Sequence, residues 1–461
     1  MSKPVNVVRA CAFLVFAAGA AAQQSPAPDP GVLAIEHVTV IPMDSERVLS
    51  DHTVVVEARR IRAVGPSPLV QVPEGAVRIV GRGRFLLPGL AEMHAHFPSP
   101  QALQQYGEEL GDRLLFLNVA NGVTTVRGMI GGPRDLRVRE EVARGARLGP
   151  QVFTAGPSIN GNSVPDEPSA WRVVTEQRAA GYDLLKIHPG VPLAAFDEVV
   201  RVARAEGIRL AGHVPAAVGL ERALLSGMTS VEHLDGYVEA LQVGAAPPPD
   251  TGFFGAAIVD TVDQARIPAL AASTRAAGVW NTPTQVLIDN LFGGASLEEL
   301  AERPEMKYVP SEMLRQWLAT ARQFRGPDFD AARGRRFVEL RRRLLRALRD
   351  AGAGLLLGAD APQVFNVPGF ATVRELEALV AAGLTPFEAL SAGTRAPAIA
   401  LGAPDSFGTV TVGKRADLLL LEADPLADIR NLWKRAGVVV AGRWLPAADL
   451  EAQLARYAAT P

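Results

Sequence analysis

Short apolar runs alternate with longer amphipathic segments over most of this 461-residue chain, which is the pattern of strands followed by helices. Apolar runs bounded by turn residues predict eight strands, over Leu86–His94, Thr124–Met129, Pro150–Ala155, Asp183–His188, Arg209–His213, Ser230–Leu234, Gly278–Pro283 and Gly354–Asp360. Helices are predicted between and after them, over Pro100–Ala120, Pro133–Gly145, Pro168–Ala180, Pro192–Glu206, Ala217–Ser226, Thr372–Ala382 and Pro386–Gly393. This alternation predicts an α/β fold, a (β/α)8 TIM-type barrel over residues 86–404.

Two connections within this barrel are much longer than a usual link between a strand and a helix. They cover residues 235–277, with the tip Pro247-Pro248-Pro249, and residues 285–353, with a strongly basic helix over Arg333–Arg349. The charges of that helix indicate a solvent-exposed face. Insertions that follow barrel strands emerge around the barrel mouth, so both connections are expected to form a lid over it.

The two ends of the chain carry a different pattern, in which short β-type runs follow one another without helices. Residues 31–85 contain such runs at Leu33–Val40, His52–Glu57 and Ile61–Val64, and residues 405–445 contain more of them. Neither set is large enough to bury a face alone. A small composite β-sandwich built from both chain ends is therefore expected.

The first 22 residues have the pattern of a secretory signal peptide. Lys3 and Arg9 give it a positive start, Ala10–Ala18 is an apolar run too short to span a bilayer, and Ala20–Ala22 offers a small-residue cleavage site. The single cysteine, Cys11, lies within this segment, so the mature chain is expected to have no disulfide. These features predict a periplasmic or secreted protein.

A Pro-rich leader at residues 23–30 follows and is predicted to be disordered. The composition of the full chain, with 48% hydrophobic and 21% charged residues, is that of a globular protein with ample core. The formal net charge of −2 gives no basic surface for a nucleic acid. No membrane contact is expected after signal cleavage, and a homo-oligomer is compatible with the composition. The expected partner is a small molecule.

Ligand-type side chains collect at the C-terminal ends of the predicted strands. His94 and His96 are two residues apart, so in an extended strand both point to the same side. Five of the seven histidines lie at such ends, and the complete set is His94, His96, Lys186, His188, His213, His233 and Asp360. Because the strand ends of a barrel surround one mouth, these side chains are expected to converge. They suit a divalent metal, with zinc preferred and manganese, cobalt or iron as alternatives.

Lys186 is the unusual member of this set, because a charged ammonium cannot bind a cation. The apolar run around Lys186 favours the neutral amine by desolvation. A neutral amine can add carbon dioxide and become a carbamate, whose two oxygens can bridge two metal ions. The alternative is a barrel lysine that pairs with a buried carboxylate.

Three side chains near the mouth are predicted to contact substrate: His188, Tyr237 and Arg127. Asn281 and Thr284, at the end of the seventh strand, are similar candidates. His188 lies two residues after Lys186 and so faces the same side, with a supporting histidine as the alternative. Tyr237 and Arg127 are placed to reach a substrate carboxylate. A packed rim tyrosine and a structural salt bridge are the alternatives for these two.

These motifs, in this order, resemble the amidohydrolase superfamily of metal-dependent hydrolases. The segment Pro-Gly-Leu-Ala-Glu-Met-His-Ala-His, which ends at His96, is similar to the opening motif of that superfamily. Segments similar to its later motifs lie at residues 123–127, 212–213, 230–233, 358–360, 382–390 and 412–418. The resemblance spans Val32–Val440 and is strongest to an imidazolonepropionase-like and prolidase-like group with signal peptides.

The resemblance implies a binuclear metal centre. His94, His96 and Asp360 would hold one ion, His213 and His233 the other, and a carboxylated Lys186 would bridge them; these six are the implied metal ligands. It also implies substrates such as dipeptides or N-acyl amino acids, cleaved at a C-terminal amide. The sequence departs from the family on the last strand, where Gly-Ala-Asp replaces Gly-Thr-Asp, and after the fifth-strand histidine, where Val-Pro-Ala stands. These departures leave the ligands intact but put the substrate in question.

The expected reaction is hydrolysis of the amide bond of an Xaa-Pro-like dipeptide or an N-acyl amino acid by a hydroxide that bridges the two ions. Metal binding lowers the pKa of water from 15.7 to about 7, and Asp360 is the candidate general acid and base. One alternative is a hydrolase of cyclic amides, lactones or other non-peptide bonds. Another, from a different class, is a non-catalytic metal-binding barrel, which loss of a ligand would mark; all six ligand positions are filled here.

Overall fold

The computed structural model describes residues 31–242, 251–326 and 329–458. The predicted signal peptide, the predicted disordered leader and the Pro-rich tip lie outside these ranges. Among the helices of the described ranges, none combines the length and apolarity that crossing a bilayer requires.

The strands are short, as is usual for an α/β fold. Within the described ranges they are β1 (Leu33–Val40), β2 (Leu49–Glu57), β3 (Arg60–Pro66), β4 (Val77–Val80), β5 (Phe85–Pro88), β6 (Leu90–Ala95), β7 (Val123–Gly128), β8 (Gln151–Thr154), β9 (Leu184–Ile187), β10 (Arg209–Gly212), β11 (Ser230–Glu232), β12 (Trp280–Thr282), β13 (Leu418–Leu421), β14 (Arg435–Val440) and β15 (Arg443–Pro446).

Helices separate most of the barrel strands and fill the two long connections. The α-helices of the described chain are α1 (Pro100–Tyr106), α2 (Glu109–Ala120), α3 (Pro133–Ala143), α4 (Glu167–Ala179), α5 (Leu193–Glu206), α6 (Gly219–Leu225), α7 (Tyr237–Ala240), α8 (Ile267–Ala277), α9 (Gln285–Phe292), α10 (Leu297–Ala301), α11 (Ser311–Phe324), α12 (Ala331–Asp350), α13 (Phe370–Ala381), α14 (Pro386–Gly393), α15 (Arg395–Ala400) and α16 (Ala447–Ala458). Short 3₁₀ helices lie at Ser67–Leu69, Phe253–Ile258, Gln264–Arg266, Pro304–Tyr308 and Ile429–Trp433.

Parallel pairing joins the barrel strands in sequence order. One sheet contains β6, β7 and β8, and another contains β9, β10, β11 and β12. Ala155, directly after β8, bridges to Leu184 at the start of β9 and so connects the two sheets. All four residues of β9 are buried, as expected for a parallel strand that helices cover on the outside and side chains fill on the inside.

The segment 354–361 closes the ring at the eighth strand position. Its backbone bridges to Asn281 of β12 on one side, and on the other side it accepts a 2.8 Å hydrogen bond from the amide of Met93 in β6. The approach is so close that a Cβ atom at Gly358 would lie 2.9 Å from the backbone nitrogen of His94. The α/β prediction of a barrel is confirmed, although this eighth position is held by isolated bridges and forms no regular strand.

The two chain ends build one sheet, in the order β15-β14-β13-β5-β1-β2-β3 with β4 beside β1. The sheet curls, because Arg60 in β3 bridges to Arg415 just before β13. Apolar side chains from β1, β2, β5 and β13 form a core of their own inside the curl, while Leu419 on the other face packs against Gly122 of the barrel. Both ends do combine, but into one curled sheet and not the two separate sheets of a sandwich.

The predicted strand Leu86–His94 is wrong as a single element, because Gly89 divides it between the two units. β5 pairs with β13 and β1 of the curled sheet, and β6 pairs with β7 of the barrel. The boundary between the units therefore lies at Gly89 and not after residue 85. Both halves are almost entirely buried and Gly89 is the only residue between them, so the apolar run alone does not reveal the division.

Candidate metal centre

Five histidines form a continuous group at the C-terminal ends of the barrel strands. His94 lies 5.4 Å from His96 and 4.5 Å from His233, measured between ring centroids. His213 lies 4.8 Å from His233 and 5.1 Å from His188. The predicted convergence of these side chains is therefore present in the structure.

Asp360 supplies a carboxylate beside this group. Its Oδ1 lies 2.8 Å from His96 Nε2 and 3.7 Å from His94 Nε2, and its Oδ2 lies 3.8 Å from His233 Nδ1. Oδ1 is buried and has no hydrogen bond of acceptable angle. Burial alone opposes ionisation, but the electrostatic interaction with His94 and the contact with His96 hold the pKa of Asp360 well below its ordinary value. An ionised, buried oxygen next to two imidazole nitrogens fits a metal ligand.

Four of the histidines are fixed through Nδ1, which leaves Nε2 for a metal ion. The Nδ1 contacts are His94 to Glu232 at 2.7 Å, His188 to Ser158 at 2.8 Å, His213 to Asp235 at 3.0 Å and His233 to Thr284 at 2.8 Å. Burial, followed by the charge of Lys186, lowers the pKa of His94 to about 4, so its imidazole is neutral near pH 7. Neutral imidazoles with one nitrogen held and one available are suitable ligands.

Lys186 lies at the centre of the site and is completely buried. Its Nζ lies 3.4 Å from His94 Nε2. Among the described residues, no carboxylate oxygen lies within the 4.0 Å of an ion pair with this amine, so the alternative of a lysine paired with a buried acid is not observed. Burial lowers the pKa of Lys186 to about 8, which favours a neutral amine.

The buried carboxylate of Glu232 is bonded to residues other than Lys186. Glu232, at the end of β11, accepts a 2.7 Å hydrogen bond from Arg127 Nη2 and another from His94 Nδ1. Burial would raise the pKa of Glu232, but the charge of Arg127 and the bond from His94 hold it far below its ordinary value. The buried pair therefore fixes the orientation of His94.

Comparisons with known proteins identify the family. The model of the Amidohydrolase family matches residues 85–445, which include every member of the histidine group and Asp360. The chain belongs to the amidohydrolase family. This amidohydrolase is a metal-dependent enzyme that hydrolyses amide C–N bonds, as predicted. No curated protein matches its sequence.

Solved structures extend the comparison over nearly the whole chain. A protein of Bifidobacterium longum, provisionally described as a prolidase, is 25% identical with a TM-score of 0.68, covering 94% of this chain and all of its own. Bottromycin amidohydrolase is 26% identical with a TM-score of 0.72, covering 93% of this chain and 90% of its own. A Xaa-Pro dipeptidase with bound methionine, 20% identical with a TM-score of 0.65 and covering 90% and 100% of the two chains, shares the fold.

Two predicted substrate contacts of this amidohydrolase are wrong. Arg127 is buried and donates to Met93 O, Ser230 Oγ and Thr282 Oγ1 as well as to Glu232, so its guanidinium is fully used inside the barrel. Tyr237 is also buried, and its hydroxyl is hydrogen-bonded to Thr274 Oγ1 at 3.0 Å. Neither side chain has a surface that a substrate can reach.

The other candidates are placed closer to the ligand group. His188 keeps Nε2 available beside His213, so its substrate contact stays a prediction. Thr284 bonds His233, which gives it a supporting role in place of a substrate contact. Asn281 is buried within β12, and its backbone pairs with the eighth strand position.

Arg341 is a residue of the site that sequence reasoning missed. The charges of the basic helix indicate a solvent-exposed face, yet Arg341 of α12 is completely buried and donates to His233 O at 2.6 Å and to Pro283 O at 2.7 Å. His233 and Thr284 both have left-handed backbones, with φ of 63° and 48°. Arg341 therefore holds the ends of β11 and β12 in the conformation that directs His233 inward. The spacing of Phe337, Arg341, Leu344 and Leu348 on one helix face was the available signal.

We expect Glu232→Gln to weaken binding of a divalent metal by about 10–100-fold, because partners of metal-binding histidines contribute that much to affinity. Competition of Zn²⁺ between the protein and a chelator measures the effect. Glu305→Gln is the matched control, because Glu305 is also buried and pairs with Arg374 at 2.6 Å, remote from the histidines. Both variants lose a buried ion pair, so an equal metal affinity in the two would contradict a specific role for Glu232.

Arg341→Met is expected to lower the free energy of unfolding by at least about 2 kcal/mol, because two buried carbonyls lose their donors at about 1–3 kcal/mol each. Chemical denaturation measures this loss. Arg343→Met is the control on the same helix, since Arg343 is largely exposed and contacts Gln264 and Glu339. Equal stability of the two variants would show that α12 does not hold the strand ends.

Proposed function

We propose that this amidohydrolase cleaves the amide bond of an Xaa-Pro-like dipeptide or an N-acyl amino acid, with Asp360 as general acid and base. The observation that supports this best is the group of His94, His96 and Asp360, whose ligand atoms all lie within 4.8 Å of one another; His94 and Asp360 are buried and His96 is partly buried. The peptide-like substrate is supported by the description of the Bifidobacterium longum protein as a prolidase. The name of bottromycin amidohydrolase likewise supports an amide within a peptide-like molecule.

The residues present fit two divalent ions, zinc by preference, or manganese, cobalt or iron. His94, His96 and Asp360 would hold one and His213 and His233 the other, with Lys186 between them. Such ions, when bound, make a water acidic and polarise a carbonyl group. Lys186 enters as a carbamate: its neutral nitrogen bonds to the carbon of CO2 and releases a proton. The complete burial of Lys186 without an acid partner supports this role.

Asp360 performs the proton transfers. Its carboxylate is ionised in the resting site and takes a proton from the attacking water onto an oxygen. It then gives that proton to the nitrogen of the leaving amine, so that the C–N bond breaks and the carboxylate returns to its ionised form. The left-handed backbone of Asp360, with φ of 59°, turns this side chain toward the histidines.

Asp360→Asn is expected to reduce turnover by roughly two or more decades, which is the magnitude of general acid–base catalysis. The assay uses protein restored with Zn²⁺ or Mn²⁺ and a panel of Xaa-Pro dipeptides, N-acyl amino acids, cyclic amides and lactones. Metal content is measured in parallel, because an amide in place of the carboxylate can also weaken the binding of an ion.

Hydrolysis of only the cyclic amides or lactones would replace this proposal with the alternative of a non-peptide hydrolase. No turnover of any substrate by the metal-loaded wild type would favour a non-catalytic barrel. A near wild-type rate for Asp360→Asn with full metal content would remove Asp360 from the proton transfers.

The same proposal places the enzyme outside the cytoplasm. Lys3, Arg9, the apolar run Ala10–Ala18 and the small residues Ala20–Ala22 support this location. We expect Edman sequencing of the protein recovered from the periplasm or medium to begin at Gln23. A chain that keeps Met1 and remains in the cytoplasm would contradict export.

A further inference from the structure

Phe254 covers the two histidines that the proposed function gives to the second ion. Its ring is nearly parallel to both imidazoles, at 16°, with centroid distances of 4.8 Å to His233 and 5.9 Å to His213. Both imidazoles are held through Nδ1, which leaves the Nε2 atom of each ring free next to the stacked phenyl ring. Phe254 keeps part of its surface exposed. A group that lies against these nitrogens therefore also meets the phenyl ring.

The backbone of this segment is built to place the ring there. Phe254 has φ of 53° and ψ of 39°, a left-handed conformation that is rare for a bulky residue. Gly255 follows with φ of 84°, and a Cβ atom at that position would lie 2.5 Å from Val238 Cβ. Conformations of this kind persist where the surrounding structure fixes them, and they concentrate at functional sites.

Other phenyl rings support Phe254 from behind. Phe253 lies 4.2 Å from Phe254, and it packs in turn on Phe324 at 5.1 Å and Phe292 at 6.3 Å. This aromatic support makes the wall above His213 and His233 both apolar and firmly held. A charged substrate group against it would lose water without gaining a partner, whereas an apolar group would gain contact.

We infer that Phe254 determines specificity for the acyl side of the substrate and favours an apolar, above all aromatic, side chain there. This inference rests on the proposed function and takes the ion that His213 and His233 would hold as the one that polarises the scissile carbonyl. The group nearest to Phe254 is then the one bonded to the carbonyl carbon. In an Xaa-Pro dipeptide this group is the Cα of Xaa with its amino group and its side chain, and only the side chain differs between substrates, so Phe-Pro is a better substrate than Gly-Pro or Asp-Pro.

Phe254→Asn tests the inference, because asparagine accepts the left-handed backbone while removing the apolar ring. We expect the ratio of kcat/KM for Phe-Pro over Gly-Pro to fall about tenfold or more in this variant, and to stay within about threefold of wild type in Phe254→Tyr. Phe329→Ala is the matched control, since Phe329 belongs to the same aromatic cluster through Phe292 but does not contact the histidines. An equal fall in the control would overturn the inference, because general loosening of the cluster would explain it.

A binding measurement separates this inference from the proposed function. Saturation-transfer NMR and calorimetry compare L-phenylalanine with glycine, on metal-loaded and on metal-stripped protein. Preferential binding of phenylalanine that is lost in Phe254→Asn supports the apolar wall, even if the wild type hydrolyses no member of the panel and the proposed function fails. One result would overturn the inference: Phe254→Asn hydrolyses Xaa-Pro dipeptides with the same ratio of kcat/KM for Phe-Pro over Gly-Pro as the wild type, and it binds phenylalanine equally well.

Discussion

The ion pair between Glu232 and Arg127 controls the charge at the centre of the barrel. A carboxylate buried so deeply stays ionised only because a guanidinium compensates it and His94 donates to it. The oxygens of Glu232 are thus bonded to Arg127 and His94, and among the described residues Lys186 has no carboxylate at ion-pair distance. The same pair thus orients one imidazole and leaves the central amine free of an acid partner. Removing either member would leave a charge with no water and no counterion.

A second constraint lies in the backbone where the strands end. His233, Thr284 and Asp360 all leave the extended conformation for positive φ, which turns their side chains across the barrel mouth. Such conformations cost free energy and need external support. For the first two residues the support comes from Arg341, which is carried by a helix far along the second long connection. That connection is therefore part of the site and not merely a cover over it.

Much of this arrangement follows from the sequence, and the exceptions have physical reasons. Parallel strands are apolar on both faces, so runs of aliphatic residues predict them well; the run Leu86–His94 is misleading because two units share it. Position at a strand end predicts convergence but not the direction of a long side chain, which is why Arg127 and Tyr237 are wrongly predicted to contact substrate. The burial of Arg341 is not predicted, because its charge indicates an exposed residue although its helical spacing matches that of buried apolar residues. Phe254 lies in an irregular turn that no periodic pattern describes.

The curled sheet sets a condition on how the molecule forms. β5 ends at Pro88, while its hydrogen-bonded neighbour β13 begins at Leu418, so this edge of β5 has no partner until synthesis of the chain has passed Leu418. Pairing over such a separation is slow, and an open edge meanwhile invites association with other chains. A nascent chain halted within the barrel would therefore expose that edge. The curled sheet can thus be completed only after β13 has been synthesised, with aggregation as the competing outcome.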